Sequence, residues 1–286
     1  MIDLLTERAP AKINLTLRVL GRRADGYHEL ESLVAFADVA DRLTFEPQAD
    51  AKLAMSGSFA DVCGPTADNL VLKAVKALSE RVAGLKAGRF TLEKELPVAA
   101  GLGGGSSDAA AVLRLLALLN GIAADDQRLA DAARAVGADV PVCLAAKARV
   151  MRGLGEILGP VLSLPALPAL LVNPGVPLPT RAVFSALTIK PRNDSALDEI
   201  PTTLDALIDF LAAHGNDLTE PAIACEPTVA AVLTALRGLP GVRLARMSGS
   251  GPTCFALFGT SDEAAAAARR LAAAQPGWWV RSTAIA

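Results

Sequence analysis

The sequence predicts an α+β fold in two domains. Segments with the two-residue periodicity of strands and segments with helical periodicity occur in both halves of the chain, as is typical of a mixed fold. Gly159-Pro160, Pro165 and Pro168 interrupt this pattern, so we place the junction between residues 155 and 168. The 286 residues, 52% of them hydrophobic, suffice for about two domains. We therefore expect domains at 1–160 and 161–286.

The first domain opens with its clearest strand. From Ala11 to Leu20 apolar and polar residues alternate strictly, with Lys12 and Asn14 on the polar face, so we expect a half-buried strand. The same patterns predict strands at 33–39, 41–47, 89–93 and 148–151, and helices at 69–82, 109–119 and 127–136.

The second domain repeats the mixture of elements. We expect helices at 204–213, 228–236 and 263–273, and strands at 242–246, 253–258 and 278–282. The alanines from 264 to 268 indicate high helix propensity rather than low complexity.

Composition and charge favour small ligands. The formal net charge is −2, so the chain lacks the overall basic field that binds nucleic acid or acidic membranes. The four cysteines are widely spaced and fit reduced, mostly buried thiols. The N-terminus lacks the basic start of a signal peptide, and the apolar stretch from Val161 to Val172 is broken by prolines. We expect a cytoplasmic protein with no nucleic-acid or membrane partner.

The glycine-rich run from Pro97 to Ser107 is the most informative segment. It leads into the helix predicted from Ala109, and bare backbone before a helix N-terminus favours a phosphate group. Ser106 stands where a dinucleotide fingerprint needs its third glycine, and the run lacks the Gly-Lys-Ser/Thr ending of a P-loop. The alternative is a flexible connector whose serine or aspartate caps the helix. Any lysine that serves the phosphates must come from outside the run, because none lies between Lys94 and Lys147.

Four other parts of the sequence each allow both a chemical and a structural interpretation. Lys12 and Asn14 either contact a ligand or face water. Asp139 is a candidate catalytic carboxylate and also the candidate N-cap of a short helix near Pro141, two roles that can coexist. The segment 25–29 holds Tyr27 and His28, which suit a flat ring but also a surface turn. The segment 247–253 is either a turn into a strand or a second backbone clamp on an anion.

Together these motifs resemble the GHMP kinases, a superfamily that includes galactokinase, homoserine kinase and mevalonate kinase. The resemblance rests on six motifs in order: Ala-Lys-Ile-Asn-Leu at 11–15, Asp-Gly-Tyr-His-Glu-Leu at 25–30, Gly-Leu-Gly-Gly-Gly-Ser-Ser-Asp-Ala-Ala at 101–110, Gly-Ala-Asp-Val-Pro at 137–141, Asn-Asp-Leu at 216–218 and Ser-Gly-Ser-Gly-Pro-Thr at 248–253. Thr219 separates Asn-Asp-Leu from Glu220, where relatives often run Asn-Asp-Leu-Glu.

The resemblance implies an ATP-dependent small-molecule kinase of the two-domain GHMP fold. Its N-terminal domain would resemble ribosomal protein S5 domain 2 and its C-terminal domain ferredoxin. The first and second motifs narrow the implied reaction to phosphorylation of the C2 hydroxyl of 4-diphosphocytidyl-2-C-methyl-D-erythritol, in the non-mevalonate isoprenoid pathway. The alternatives are another acceptor, such as homoserine or a mevalonate derivative, and a non-catalytic nucleotide-binding protein of the same fold.

The resemblance also assigns the reacting groups. Asp139 accepts the hydroxyl proton or orients the hydroxyl, and Lys12 beside it keeps the carboxylate ionised and shares the charge of the transferring group. Mg²⁺ would accompany ATP, with Ser107 as its candidate protein ligand. The ATP phosphates would contact Pro97, Val98, Ala99, Ala100, Gly101, Leu102, Gly103, Gly104, Gly105, Ser106 and Ser107.

The substrate would be bound by residues from both halves of the chain. Tyr27 and Phe184 would sandwich the cytosine, His28 would read its polar edge, and Asn14 would contact the substrate near the transferred oxygen. The second loop would close on the substrate phosphates through Ser248, Gly249, Ser250 and Gly251. We expect a monomer or a weak homodimer.

Overall fold

A computed structural model describes residues 5–48, 51–64, 68–189, 197 and 199–286. Its strands are β1 (Leu5–Asn14), β2 (Arg18–Arg22), β3 (His28–Pro47), β4 (Lys52–Ser56), β5 (Gly88–Glu93), β6 (Arg149–Gly153), β7 (Ile157–Leu158), β8 (Leu167–Asn173), β9 (Leu244–Met247), β10 (Cys254–Leu257) and β11 (Trp279–Ile285). Its helices are α1 (Leu70–Ser79), α2 (Gly104–Leu119), α3 (Gln127–Val136), α4 (Val140–Ala145), α5 (Thr180–Ser185), α6 (Leu204–Ala213), α7 (Thr219–Cys225), α8 (Thr228–Arg237) and α9 (Ser261–Ala274).

The chain divides into two compact units, each built from separate stretches of sequence. The first comprises the described residues of Met1–Ala11, Ala40–Val98 and Gly103–Ala146, and the second those of Lys12–Val39, Ala99–Leu102 and Lys147–Ala286. The boundary predicted at residues 160 and 161 assumes continuous domains and stays a prediction.

The first unit combines a short sheet with a group of helices. β5 pairs with β3 antiparallel and with β4 parallel, and α2 packs against α1 and α4. Most apolar residues of α2 are buried, among them Val112, Leu113 and Leu116, whereas Leu118 is exposed. α2 is therefore the central helix of this unit.

The second unit contains an antiparallel sheet in the order β3, β11, β8, β10, β9. β8 is buried along most of its length, and α9 packs against β8 and β11. We did not predict β8, because the prolines at 165 and 168 indicate a break. Pro168 instead lies within the strand, opposite Ala284 of β11.

Other predictions are confirmed or corrected by the elements. The mixed fold is confirmed, and α3 and α6 have their predicted bounds. The segments 33–39 and 41–47 form one strand, β3, instead of two. The strand predicted from Ala11 to Leu20 is divided between β1 and β2 by an irregular segment at 15–17.

The cysteines and the helices also bear on the predictions made from composition. None of the four cysteines, all of which the structure describes, forms a disulfide, but only Cys143 and Cys254 are buried, fewer than predicted. Within the described ranges, no helix is both long and apolar enough to cross a membrane.

Candidate active site

The end of β1 lies beside the glycine run in the second unit. The backbone N–H of Lys12 donates to the Leu102 carbonyl over 2.8 Å. Lys12 and Asn14 are 4% and 2% exposed, so the prediction of a half-buried strand is wrong, because its polar face is buried as well. A lysine and an asparagine buried next to a glycine-rich loop belong to an organised polar site rather than to a solvated strand face.

The glycine run is a turn that passes directly into α2. Gly103 occupies the N-cap position with φ 60°, and α2 begins at Gly104, five residues before the predicted start. The predicted boundary is wrong because glycine has low helix propensity, while the packed helix continues through it. The first turn leaves the N–H groups of Gly104, Gly105 and Ser106 without acceptors inside the helix. These groups and the helix dipole favour an anion.

A second loop, residues 248–251, contacts the glycine run directly. The Ser248 hydroxyl accepts from the Asn14 N–H over 3.1 Å and donates to the Gly101 carbonyl over 2.9 Å. A Cβ on Gly101 would lie 2.3 Å from the Ser248 carbonyl oxygen, and Gly101 has φ +74°. Gly101 is therefore required for the contact between the two loops. Ser250 also has a partner, since its hydroxyl lies 2.8 Å from that of Thr180.

A buried ionic group lies under the start of α2 in the first unit. Lys94 Nζ forms ion pairs with Asp41 and, over 2.8 Å, with Asp108, and it would lie 3.5 Å from a Cβ on Gly104. Burial raises the pKa of Asp108 to about 7; Lys94 opposes this rise and Asp41 adds to it. Burial also opposes the charged form of Lys94, but the two carboxylates outweigh it and raise the pKa of Lys94.

Sequence reasoning missed this ionic group. The sequence does place a lysine directly after β5 and an aspartate directly after the two serines. Without the fold, nothing in the sequence indicates that these two side chains meet. Because two carboxylates already neutralise Lys94, this lysine is poorly suited to serve as a free cation for a phosphate.

Asp139 lies at the N-cap position of α4, where the sequence places it. The helix begins at Val140, but the Asp139 side chain makes no capping hydrogen bond. The predicted N-cap position is therefore confirmed, although the carboxylate does not make the capping hydrogen bond. Asp139 is half-buried and its backbone carbonyl accepts from Cys143.

Two aromatic rings meet in the second unit. The His28 ring stacks on Phe184 of α5 with centroids 5.1 Å apart and an interplanar angle of 28°. Burial and the nearby Arg22 lower the pKa of His28, which keeps the ring neutral at pH 7. Tyr27 is 63% exposed. The pair and the exposed tyrosine together offer flat surfaces to a ring-shaped ligand.

The residue that the resemblance suggests for Mg²⁺ does not fit an open metal site. Ser107 is 1% exposed, and its hydroxyl donates to the Pro10 carbonyl over 2.7 Å. Among the residues with assigned structure, no three His, Cys, Asp or Glu side chains converge as a metal site. Ser107 fixes the first turn of α2 to the chain before Lys12.

Comparison with known families agrees with this fold. The family described as GHMP kinases N terminal domain matches residues 69–147, and GHMP kinases C terminal matches residues 196–277. A homoserine kinase from Cytophaga hutchinsonii aligns with 99% of this chain and 95% of its own at a TM-score of 0.66 and 19% identity, which shows the shared fold. The class is thus a two-domain GHMP kinase with mixed α and β content.

Relatives of higher sequence identity indicate which family of GHMP kinases the chain belongs to. A protein of Rhodopseudomonas palustris (strain BisB5) named 4-diphosphocytidyl-2-C-methyl-D-erythritol kinase is 57% identical over 291 residues, covering 98% of this chain and 99% of the relative. A crystal structure of 4-(cytidine 5'-diphospho)-2C-methyl-D-erythritol kinase is 36% identical with a TM-score of 0.78, covering 98% of this chain and 99% of its own. The chain belongs to the 4-diphosphocytidyl-2-C-methyl-D-erythritol kinase family of GHMP kinases.

Proposed function

We propose that this protein transfers the γ-phosphoryl group of ATP to the C2 hydroxyl of 4-diphosphocytidyl-2-C-methyl-D-erythritol, yielding the 2-phosphate and ADP. The observation that carries the proposal is the 57% identity to a relative of that name over 98% of the chain. The buried polar residues around the glycine run support it, because phosphoryl transfer depends on positioning and charge stabilisation.

The ATP phosphates bind the run from Pro97 to Ser107 mainly through backbone N–H groups. The first turn of α2 supplies donors and a favourable dipole, and Val98, Ala99 and Gly105 are exposed. Lys94 does not serve the phosphates, because Asp41 and Asp108 hold it. Mg²⁺ would accompany ATP and would neutralise charge on the phosphate oxygens.

Lys12 and Asp139 act on the acceptor oxygen. Asp139 accepts the hydroxyl proton or orients the hydroxyl, and its place in the Gly-Ala-Asp-Val-Pro motif at 137–141 supports this role. Lys12 keeps that carboxylate ionised and offsets the charge of the transferring group. The hydrogen bond from the Lys12 backbone to Leu102 supports a lysine beside the phosphate loop.

The cytidine end of the substrate binds Tyr27, His28 and Phe184. The stacked pair of His28 and Phe184 supports a base-binding surface, and a neutral imidazole can both donate to and accept from a base edge. Asn14 and the loop 248–251 contact the rest of the substrate. Because Ser248 uses its hydroxyl between Asn14 and Gly101, this loop contacts the substrate mainly through its backbone.

The proposal includes the domain organisation, the cell compartment and the oligomeric state. The domains at 1–160 and 161–286 resemble ribosomal protein S5 domain 2 and ferredoxin, respectively. The enzyme acts in the cytoplasm, in the methylerythritol phosphate route to isoprenoids, as a monomer or a weak homodimer.

A panel of acceptors tests the function. Purified protein is assayed for ADP release with ATP, Mg²⁺ and either the cytidine substrate, homoserine or mevalonate. We expect a kcat/KM for the cytidine substrate at least about a thousandfold above the others, because buried polar groups discriminate strongly against ligands that leave them unpaired. Faster turnover of homoserine or mevalonate would replace the proposed acceptor, and ATP binding without turnover of any acceptor would indicate a non-catalytic protein.

A further inference from the structure

The Asn216-Asp217 pair lies between α6 and α7 and has no role in the chemistry proposed above. Asn216 is 8% exposed. Its side-chain amide donates to the carbonyls of Met247 and Gly249, each over 2.8 Å. Its side-chain oxygen accepts from the Leu218 N–H over 2.9 Å. The neutral amide thus satisfies two buried loop carbonyls and one local N–H at once.

Asp217 connects this segment to residues 17–19, which follow β1. Its backbone N–H donates to the Leu17 carbonyl over 2.9 Å, and its carboxylate accepts from the Val19 N–H over 2.8 Å. Leu17 in turn donates to Gly215 over 3.1 Å. The pair is therefore held on the segment that leads away from Lys12 and Asn14.

The two carbonyls that Asn216 binds flank Ser248. Ser248 is fully buried, and its hydroxyl joins the Asn14 N–H to the Gly101 carbonyl. The Thr253 N–H donates to the Ala100 carbonyl over 3.2 Å. A continuous set of hydrogen bonds therefore leads from Asn216 through the loop 248–251 to Gly101.

We propose that Asn216 is a positioning residue for phosphoryl transfer, which holds Ser248 so that Gly101 and the glycine run keep the conformation that binds ATP. Asp217 anchors Asn216 from the other side. The inference rests on the proposed function, because it assigns the glycine run to the ATP phosphates. Asn216 itself does not contact the reacting atoms.

The substitution Asn216→Ser separates the long-range role from the local one. A serine hydroxyl still accepts from the N–H two residues ahead, as Asn216 does from Leu218, but it is too short to replace both donors to the loop. Asn120→Ser is the matched control. Asn120 also makes three hydrogen bonds, to both backbone groups of Lys86 and to the Leu116 carbonyl, at the far end of α2.

We expect Asn216→Ser to weaken binding of a non-hydrolysable ATP analogue, measured by calorimetry, by about tenfold, with a similar rise in the KM for ATP. Amide exchange at Asn14 and Thr253, whose acceptors are Ser248 and Ala100, should become at least about tenfold faster. Asn120→Ser should change neither measurement. Ser248→Ala, which leaves the Asn216 contacts in place and removes the link to Gly101, should reproduce the effects of Asn216→Ser.

Wild-type analogue binding and exchange in Asn216→Ser would overturn the proposal, as would equal effects in Asn120→Ser. If Asn216→Ser cannot be purified folded, unchanged exchange at Thr253 in Ser248→Ala would overturn it. Failure of the proposed function has a different signature. The wild-type protein would then not phosphorylate the cytidine substrate, while amide exchange would still report whether Asn216 holds the loop.

Discussion

Polar side chains around the glycine run differ in what they can offer a ligand. Lys94 is buried between Asp41 and Asp108, so its charge is balanced before a phosphate arrives. Ser248 has both a donor and an acceptor in the protein. Asp139 occupies a cap position without making the capping bond. We propose the acceptor chemistry for Asp139 because it lies in the Gly-Ala-Asp-Val-Pro motif at 137–141, which resembles that of the GHMP kinases.

Asp139→Asn tests that assignment. The amide keeps the size of the side chain but removes the negative charge, so the hydroxyl loses its acceptor for the proton. We expect kcat to fall by at least about a hundredfold, the usual scale of general base catalysis, with affinity for an ATP analogue changed less than about twofold. Steady-state kinetics and calorimetry provide the two values. Turnover at the wild-type rate would refute both the base and the orienting role.

Tyr27→Ala tests the proposed cytosine surface. Tyr27 is 63% exposed, so its removal should leave the thermal midpoint of unfolding almost unchanged. Loss of one stacking partner should raise the KM for the cytidine substrate roughly five- to tenfold while sparing the KM for ATP. An unchanged KM for the cytidine substrate would move the base-binding surface away from Tyr27.

At the scale of elements, α2 combines an anion-binding first turn with a buried acid. Burial raises the pKa of Asp108 from its ordinary value of 3.8 to about 7. Between these values the folded protein retains a proton that the unfolded chain has released. The contribution of Asp108 to stability is therefore fully present below about pH 4 and is lost as pH rises through about 7.

Asp108→Asn should remove this pH dependence, since Lys94 keeps Asp41 as its ion-pair partner. Relative to the wild type, the free energy of unfolding of the variant should rise between about pH 4 and pH 7, as measured by urea denaturation. A difference between the two proteins that does not vary with pH would contradict the buried, proton-binding state of Asp108.

Gly101→Ala tests the contact between the two loops. The new Cβ would lie 2.3 Å from the Ser248 carbonyl oxygen. Gly121→Ala is the control, because Gly121 has a similar φ of +63° but nothing within 4 Å of its Cβ. We expect Gly101→Ala to lose about 1–3 kcal/mol more in urea denaturation than the control, the cost of overpacking. Equal losses would show that the loops can separate at no cost.

The elements also show how far local sequence patterns reach. α3 and α6 were predicted to the residue because amphipathic periodicity determines them locally. The segment from Ala11 to Leu20 was predicted to be a half-buried strand, yet its polar residues Lys12, Asn14, Thr16 and Arg18 are all buried. Local alternation does not show what covers the polar face. β8 was missed because two prolines outweigh an apolar run in a local pattern.

The same distinction applies to the site. The glycine run, Lys12 and the loop 248–251 were identified from their motifs. In the second unit the structure brings the backbone of Lys12 to Leu102 and that loop to Gly101. Lys94 bonds to carboxylates that lie 14 and 53 positions away in the sequence. Asn216 bonds to loop carbonyls that lie 31 and 33 positions away. Local periodicity contains no information about such pairs.

At the scale of the whole molecule, similarity extends nearly from end to end. The relative from Rhodopseudomonas palustris covers 98% of the chain, and the homologous crystal structure covers the same share. The homoserine kinase shares the fold at 19% identity. The fold alone therefore permits several acceptors, and the acceptor has to be identified by chemistry.

The most direct test is to identify the product by ³¹P and ¹³C NMR after incubation of the wild-type protein with ATP, Mg²⁺ and the cytidine substrate. We expect one new phosphomonoester on the oxygen of C2, formed in equal amount with ADP and with the diphosphate link intact. A phosphate on another oxygen, or ADP formed without a phosphorylated cytidine product, would contradict it.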